Sequence, residues 1–183
     1  DSATLRSSRV AFERTTTVGD WDGAANAIDG NFDSAATISG TLPCALSGGF
    51  ATARPGALQH IVNVKFLAMI ANSDGASLSG NLSINIPGKL YRVQEFSVAA
   101  ASSGIASLPV ELPGNVDAAD LFSADAVFSA SFPDGGAGIS IAGMWLEIDV
   151  LEKLDGNALA SAISATSITM KFDARLDYNE ARL

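Results

Sequence analysis

The stretch ISIAGMWLEIDVLEKL, Ile139 to Leu154, alternates apolar and polar residues with a period of two, the pattern of a β-strand with one face turned to a core. Ile139 and Ile141 share one parity, whereas Met144, Leu146, Ile148 and Val150 share the other. The change falls at Gly143, and one extra residue there returns both groups to a single face, so a β-bulge is expected at that point. Trp145, Glu147 and Asp149 then point together to the opposite side.

The same period runs through most of the chain. In LQHIVNVKFLAMIANS, Val62, Val64, Phe66, Ala68 and Ile70 lie on one face, while the other mixes Asn63 and Lys65 with Ile61, Leu67 and Met69. That mixture predicts a central strand partly covered on both sides. GNLSINIPG sets Leu82, Ile84 and Ile86 against Asn81, Ser83 and Asn85, and Pro87-Gly88 turns the chain into a further strand, KLYRVQEFSVAA. AVFSASF alternates Phe128, Ala130 and Phe132 against Val127, Ser129 and Ser131, and PDGGAG follows as a turn. Helical signal is thin: short turns are expected in WDGAANAID, with Asp22 as cap, in NVDAADLF, with Asn115 as cap, and in DGNALASAISA. Many short strands separated by Gly, Pro, Asn and Asp predict an all-β fold, an antiparallel β-sandwich or jelly roll with short helical turns.

Residues 153–183 read as a separate C-terminal extension with a short helix and a strand. SITMKFDARLDY carries Ile168, Met170, Phe172, Ala174, Leu176 and Tyr178 on one face and Thr169, Lys171, Asp173, Arg175 and Asp177 on the other. A lone strand must pair, either as the last strand of the same sandwich or as an exchanged strand that builds an oligomer.

Composition narrows the function classes. The 183 residues suit one domain, and a chain of this size buries roughly 70% of its unfolded surface. A single cysteine, Cys44, excludes an intramolecular disulfide and is expected to be a small buried hydrophobe. A net charge of −9 argues against a nucleic-acid partner, which would require basic patches. No apolar run approaches the ~20 residues of a spanning helix, and no membrane partner or signal peptide is expected. His60 is the lone histidine, and no nucleophile motif, zinc-ligand spacing, phosphate loop or dinucleotide fingerprint is present, so an enzyme is not expected.

One stretch, NAIDGNFDSAATISG (Asn26 to Gly40), is rich in oxygen donors. Asp29, Asn31 and Asp33 are spaced like the first ligands of an EF-hand, yet Ser34 stands at the required glycine and Gly40 at the required glutamate. The residues admit two readings: an Asx-stabilised turn with Gly30 at positive φ, or a hard-cation loop completed by a carboxylate from elsewhere.

AANAIDGNFDSAATIS resembles the N-terminal loop of galactose-binding-like jelly rolls, the discoidin and carbohydrate-binding class, through Ala27, Asp29 and Gly30, with Ser34 at the usual threonine and Ala36 at the usual tryptophan. A closer resemblance is to galactose-binding-like structural proteins of tailed bacteriophages. It rests on Trp21, Asn26, Ala27, Asp29, Gly30, Asn31 and Ala36, on Pro55-Gly56-Ala57 before a strand, and on the closing MWLEIDV, and it covers about residues 5 to 152. The resemblance implies a galactose-binding-like sandwich over 1–152 and a calcium-like site at Asp29, Asp33, Ser34 and Glu147, with Asn31 as a further donor. It also implies a non-enzymatic virion subunit of the head, neck or tail, assembled in the host cytoplasm with other virion subunits and as a homo-oligomer. The alternative it carries is a carbohydrate-binding adhesion module of the same fold, with a glycan as partner.

Overall fold

The computed structural model describes residues 5–38, 43–50, 59–131 and 138–152. Among them, eleven strands occur in chain order. They are β1 (Leu5–Ala11), β2 (Arg14–Val18), β3 (Trp21–Asp22), β4 (Ala36–Ile38), β5 (Cys44–Gly49), β6 (Gln59–Asn72), β7 (Leu78–Ile86), β8 (Leu90–Val98), β9 (Ser102–Val110), β10 (Asp125–Ser131) and β11 (Ile139–Glu152). They form two antiparallel sheets. The larger has the order β3-β4-β11-β6-β9 with β1 also on β11, and the smaller has the order β2-β5-β10-β7-β8. The chain passes back and forth between the sheets, and the result is the antiparallel jelly-roll sandwich that the period-two pattern predicts.

β11 is flanked by β6 along its whole length, while β4 and β1 lie end to end along its other edge. The register with β6 slips between Ile141 and Gly143, which is the expected bulge, and slips again between Asp149 and Val150. The first slip lets Ile139 and Ile141 join Met144, Leu146, Ile148 and Val150 on the buried face. Opposite them, Val64, Phe66, Ala68 and Ile70 of β6 are buried, and β6 is central between β11 and β9 as its two mixed faces predict.

The smaller sheet contributes Leu46, Leu78, Leu82, Ile84, Ile86, Ala126 and Phe128, all fully buried. Each large side chain buried this way stabilises the fold by roughly 1.5–3 kcal/mol before entropy is charged. Phe12 packs on Phe50 and Phe66, and Phe128 receives Trp21 edge-on and Phe96 stacked. Cys44 is buried as expected, and burial pushes its thiol up to about 11, so it stays unreactive at neutral pH. Asn72 is the buried polar side chain among the described residues. Its amide donates to the carbonyls of Ala76, Val98 and Ala99, and its carbonyl accepts the Asp74 N–H, which ties the end of β6 to the end of β8.

Both helical turns that the described residues contain occur where the sequence suggests, but with other caps. The 3₁₀ turn Ala24–Ala27 begins after Gly23, in the left-handed region at φ 61°, with no side-chain cap; Asp22 does not serve. Only a residue without Cβ enters that conformation cheaply, so backbone shape replaces a capping side chain there. The helix α1 (Ala118–Leu121) is capped by Asp117, not Asn115, in a capping box with Asp120. The reciprocal acid three residues on makes Asp117 the better cap. Lys89 also binds the Asp120 carboxylate. The turn at 133–137, the C-terminal helix and the strand over 166–178 lie outside the described residues.

Gly80 in β7 has no room for a side chain. A Cβ there would sit 2.2 Å from the Ser129 carbonyl oxygen and 2.7 Å from the Phe96 ring. The oxygen belongs to the neighbouring strand and cannot withdraw without breaking the ladder. Gly80→Ala is expected to cost about 1–3 kcal/mol, read as a fall in melting temperature of about 2–4 °C per kcal/mol.

Candidate functional site on the outer face of the larger sheet

Strand register sets the outward-facing side chains of the larger sheet in rows. Ala11, Trp145, Leu67 and Ser107 form one; Arg9, Glu147, Lys65 and Pro109 the next; Ser7, Asp149 and Asn63 a third. Each acid on this face has a partner. Glu147 Oε1 lies 3.8 Å from Lys65 Nζ. Asp149 accepts from Ser7 Oγ on one side and Asn63 Nδ2 on the other, and those two hydrogen bonds hold its carboxyl below the usual range.

The loop between the 3₁₀ turn and β4 comes up against this face. Ala27 is buried and anchors its start, and Asn26 donates to the Ala35 carbonyl across its base. Asp29 Oδ1 accepts the Asn31 N–H at 2.7 Å, and Oδ2 lies 2.7 Å from Ser34 Oγ. Asn31 Oδ1 accepts the Asp33 N–H at 3.1 Å, and Gly30 takes φ 77° with open space around it. These are the Asx turns of the first reading. The Ser34 hydroxyl, followed by the Asn31 N–H, holds the Asp29 carboxyl below the ordinary aspartate value of 3.8.

The loop does reach the closing strand, through an aromatic contact. The Phe32 ring packs on Trp145 with centroids 5.5 Å apart, and it settles into the space that the bulge residue Gly143 leaves, where a Cβ would come within 2.6 Å of the ring. Arg9 then caps both rings. Its guanidinium carbon lies 4.5 Å from the Trp145 centroid and 5.0 Å from that of Phe32. Among the described residues no acceptor meets the Arg9 N–H groups. Trp145 is only 5% exposed, and its indole Nε1 has no hydrogen-bond partner among the described residues, whereas Trp21 Nε1 donates to the Val18 carbonyl. Phe32 stays 38% exposed. Tyr91, 61% exposed, lies on the smaller sheet beside a hollow of about 390 Å³ lined by Asn85, Arg92 and Pro113.

Of the residues nominated for a cation, Asp29 and Ser34 meet directly, whereas Asp33 donates its backbone N–H to the Asn31 side chain. Glu147 is not drawn to them; it faces Lys65. Both Asp29 oxygens are already occupied by the loop's own donors, and no group of three His, Cys, Asp or Glu able to hold a metal ion gathers among the described residues. As arranged, these side chains do not fit a calcium shell, which requires six to eight oxygens. Arg9 and Phe32 went unnoticed in the sequence. The free face of Trp145 was legible, but nothing in the spacing linked residues 9 and 32 to it.

No protein-family model matches the chain, and no curated protein is significantly similar to it. Solved structures similar to it include three carbohydrate-binding modules. One is the CBM32 of AlyQ in complex with 4,5-unsaturated mannuronic acid, at TM-score 0.47 and 11% identity, covering 76% of this chain and 97% of that one. Another is the family 32 module of C. perfringens NanJ in complex with galactose, at TM-score 0.43 and 21% identity, covering 79% and 93%. The third is a family 35 module from Clostridium thermocellum, at TM-score 0.42 and 9% identity, covering 78% and 97%. At such scores and identities the likeness transfers no ligand to this chain.

The loop's acid behaviour follows from its hydrogen bonds. A carboxyl whose folded pKa is lowered contributes stability that is present above its unfolded pKa and is lost as pH falls through the folded value. Asp29 and Asp149 therefore contribute fully above about pH 4, and the contribution fades as pH falls from there through their lowered folded values. In a carboxyl-detected NMR titration, the Asp29 midpoint is expected below that of a free aspartate. Ser34→Ala should move it upward, and an unchanged midpoint would contradict the geometry.

Proposed function

We propose that this protein is a non-enzymatic carbohydrate-binding module whose ligand docks on the outer face of the larger sheet, against Phe32, Arg9 and the loop 29–34. The observation that carries this reading is the Arg9 guanidinium seated on Trp145 and Phe32 with its donors unclaimed by any described residue. Sugars offer apolar C–H faces beside hydroxyl acceptors, and a partly exposed ring next to a planar donor group answers both. Turnover is not part of the proposal. Glycoside hydrolysis calls for a carboxylic acid with a raised pKa beside a second carboxylate, while Asp29 and Asp149 are shifted downward and Glu147 sits by Lys65. On a panel of immobilised glycans, Phe32→Ala and Arg9→Ala are expected to weaken retention at least tenfold, with Tyr91→Ala unchanged. Retention of no glycan, or loss with Tyr91→Ala alone, overturns this reading.

A second reading, a subunit of a larger assembly such as a phage virion, is favoured by β9. This nine-residue strand carries no charged side chain, pairs with β6 alone among the described residues, and leaves Ile105 57% exposed. Uncharged open edges are templates for another strand, and only Pro109 guards this one. Sedimentation of the full chain is expected to give a closed oligomer under this reading; a monomer at all concentrations removes it.

A further inference from the structure

We infer that the face around Arg9 recognises a carboxylate-bearing glycan, a chain of uronic acid units, with Arg9 as the carboxylate fork and Trp145 Nε1 as a second donor. This rests on the carbohydrate reading above and goes further by stating the charge of the ligand.

Most charges on this face are already matched. Glu147, the cross-strand neighbour of Arg9, faces Lys65. Asp149 is held by Ser7 and Asn63, and Asp29 by Ser34 and Asn31. Asp33 remains a solvated acid on the exposed loop, engaged through its backbone N–H alone. Arg9 is thus a cation whose contacts among the described residues are two aromatic rings. In a chain of net charge −9 with twenty acids, that pairing is unusual, because internal carboxylates are abundant.

The Arg9 guanidinium lies against two rings, and no acceptor among the described residues meets its N–H groups. A guanidinium over a ring uses its face, while its N–H groups lie in the plane and point outward. The fork geometry fits the two oxygens of a carboxylate, and such bidentate, charge-assisted pairs are about twice as strong as neutral hydrogen bonds. The two rings also hold the arginine in place, so little side-chain freedom remains to be lost on binding.

Trp145 supplies an independent observation. Its indole is more than nine-tenths buried, yet its N–H finds no acceptor among the described residues. Buried donors are normally satisfied, and an orphan of this kind marks a place where an oxygen belongs. Phe32, which packs on the indole, is carried by a loop whose hydrogen bonds are exposed, at the edge of the same surface. A ring hydroxyl or ring oxygen of the sugar then meets Nε1 while the carboxylate stays on Arg9. A neutral sugar would leave the fork empty. An acidic peptide would satisfy Arg9, but without the flat saturated ring that suits the Phe32 surface.

The test is calorimetric titration of the full chain with an oligogalacturonate, the same oligosaccharide after reduction of its carboxyls to alcohols, and poly-glutamate of equal charge. The uronate is expected to bind at least tenfold tighter than either control and to weaken as salt rises from 50 to 500 mM. Arg9→Lys, which keeps the charge and removes the fork, should lower affinity about tenfold. Trp145→Phe, which keeps a ring and removes the N–H, should lower it several-fold. Melting curves of both variants report folding, and Arg9→Lys on an exposed strand position keeps the test decisive if Trp145→Phe is unstable. Equal binding of the reduced oligosaccharide overturns the acidic-ligand inference and leaves the carbohydrate reading standing. Equal binding of poly-glutamate assigns the face to acidic peptides instead, and binding of none of the three overturns the acidic inference and counts against the carbohydrate reading.

Discussion

The pairing of β11 with β6, and the bulge within it, is the constraint on which the rest of the molecule depends. β11 is the one described strand that contacts β1, β4 and β6 together, so the larger sheet is assembled on it. Without the slip at Ala142-Gly143, either Ile139 and Ile141 or the four residues Met144, Leu146, Ile148 and Val150 would leave the core for water. A single inserted residue resolves that conflict, because side chains alternate with a period of two. The same residue does a second job. Gly143, lacking a side chain, leaves the hollow that receives Phe32, and so fixes where the acidic loop meets the sheet.

The loop and the closing strand are therefore joined by packing where a shared cation was expected. That difference has a plain electrostatic origin. Asp29 finds donors within its own turn, from Asn31 N–H and Ser34 O–H, at distances a metal would otherwise claim. Glu147 finds Lys65 one strand away. With Asp29, Glu147 and Asp149 each beside a local partner, Arg9 is left on this face with two aromatic rings as its contacts among the described residues.

Legibility varied with the range of the interaction. The buried faces of β6, β7, β10 and β11 were readable because alternation is local and the core accepts one parity only; Leu82, Ile84 and Ile86 stand as expected. The bulge was readable for the same reason, as a break in that parity. The caps were misread: Asp22 and Asn115 are suitable residue types, yet a left-handed Gly23 and the Asp117–Asp120 pair start the turns. Residue type alone does not reveal which of two neighbouring polar residues has the right backbone angles.

By itself the sequence determined the sandwich class, the inward parity of its strands, the outward face of Trp145 and the oxygen-rich makeup of the loop at 29–34, all consequences of residue type and spacing along one chain. Only the tertiary structure decided that Arg9 of the first strand, Phe32 of the loop and Trp145 of the last strand come together. These residues are separated by 23 and 113 positions, and no periodicity relates them. Their meeting follows from the β1–β11 register and from the space above Gly143, and both are settled by pairing across the sheet.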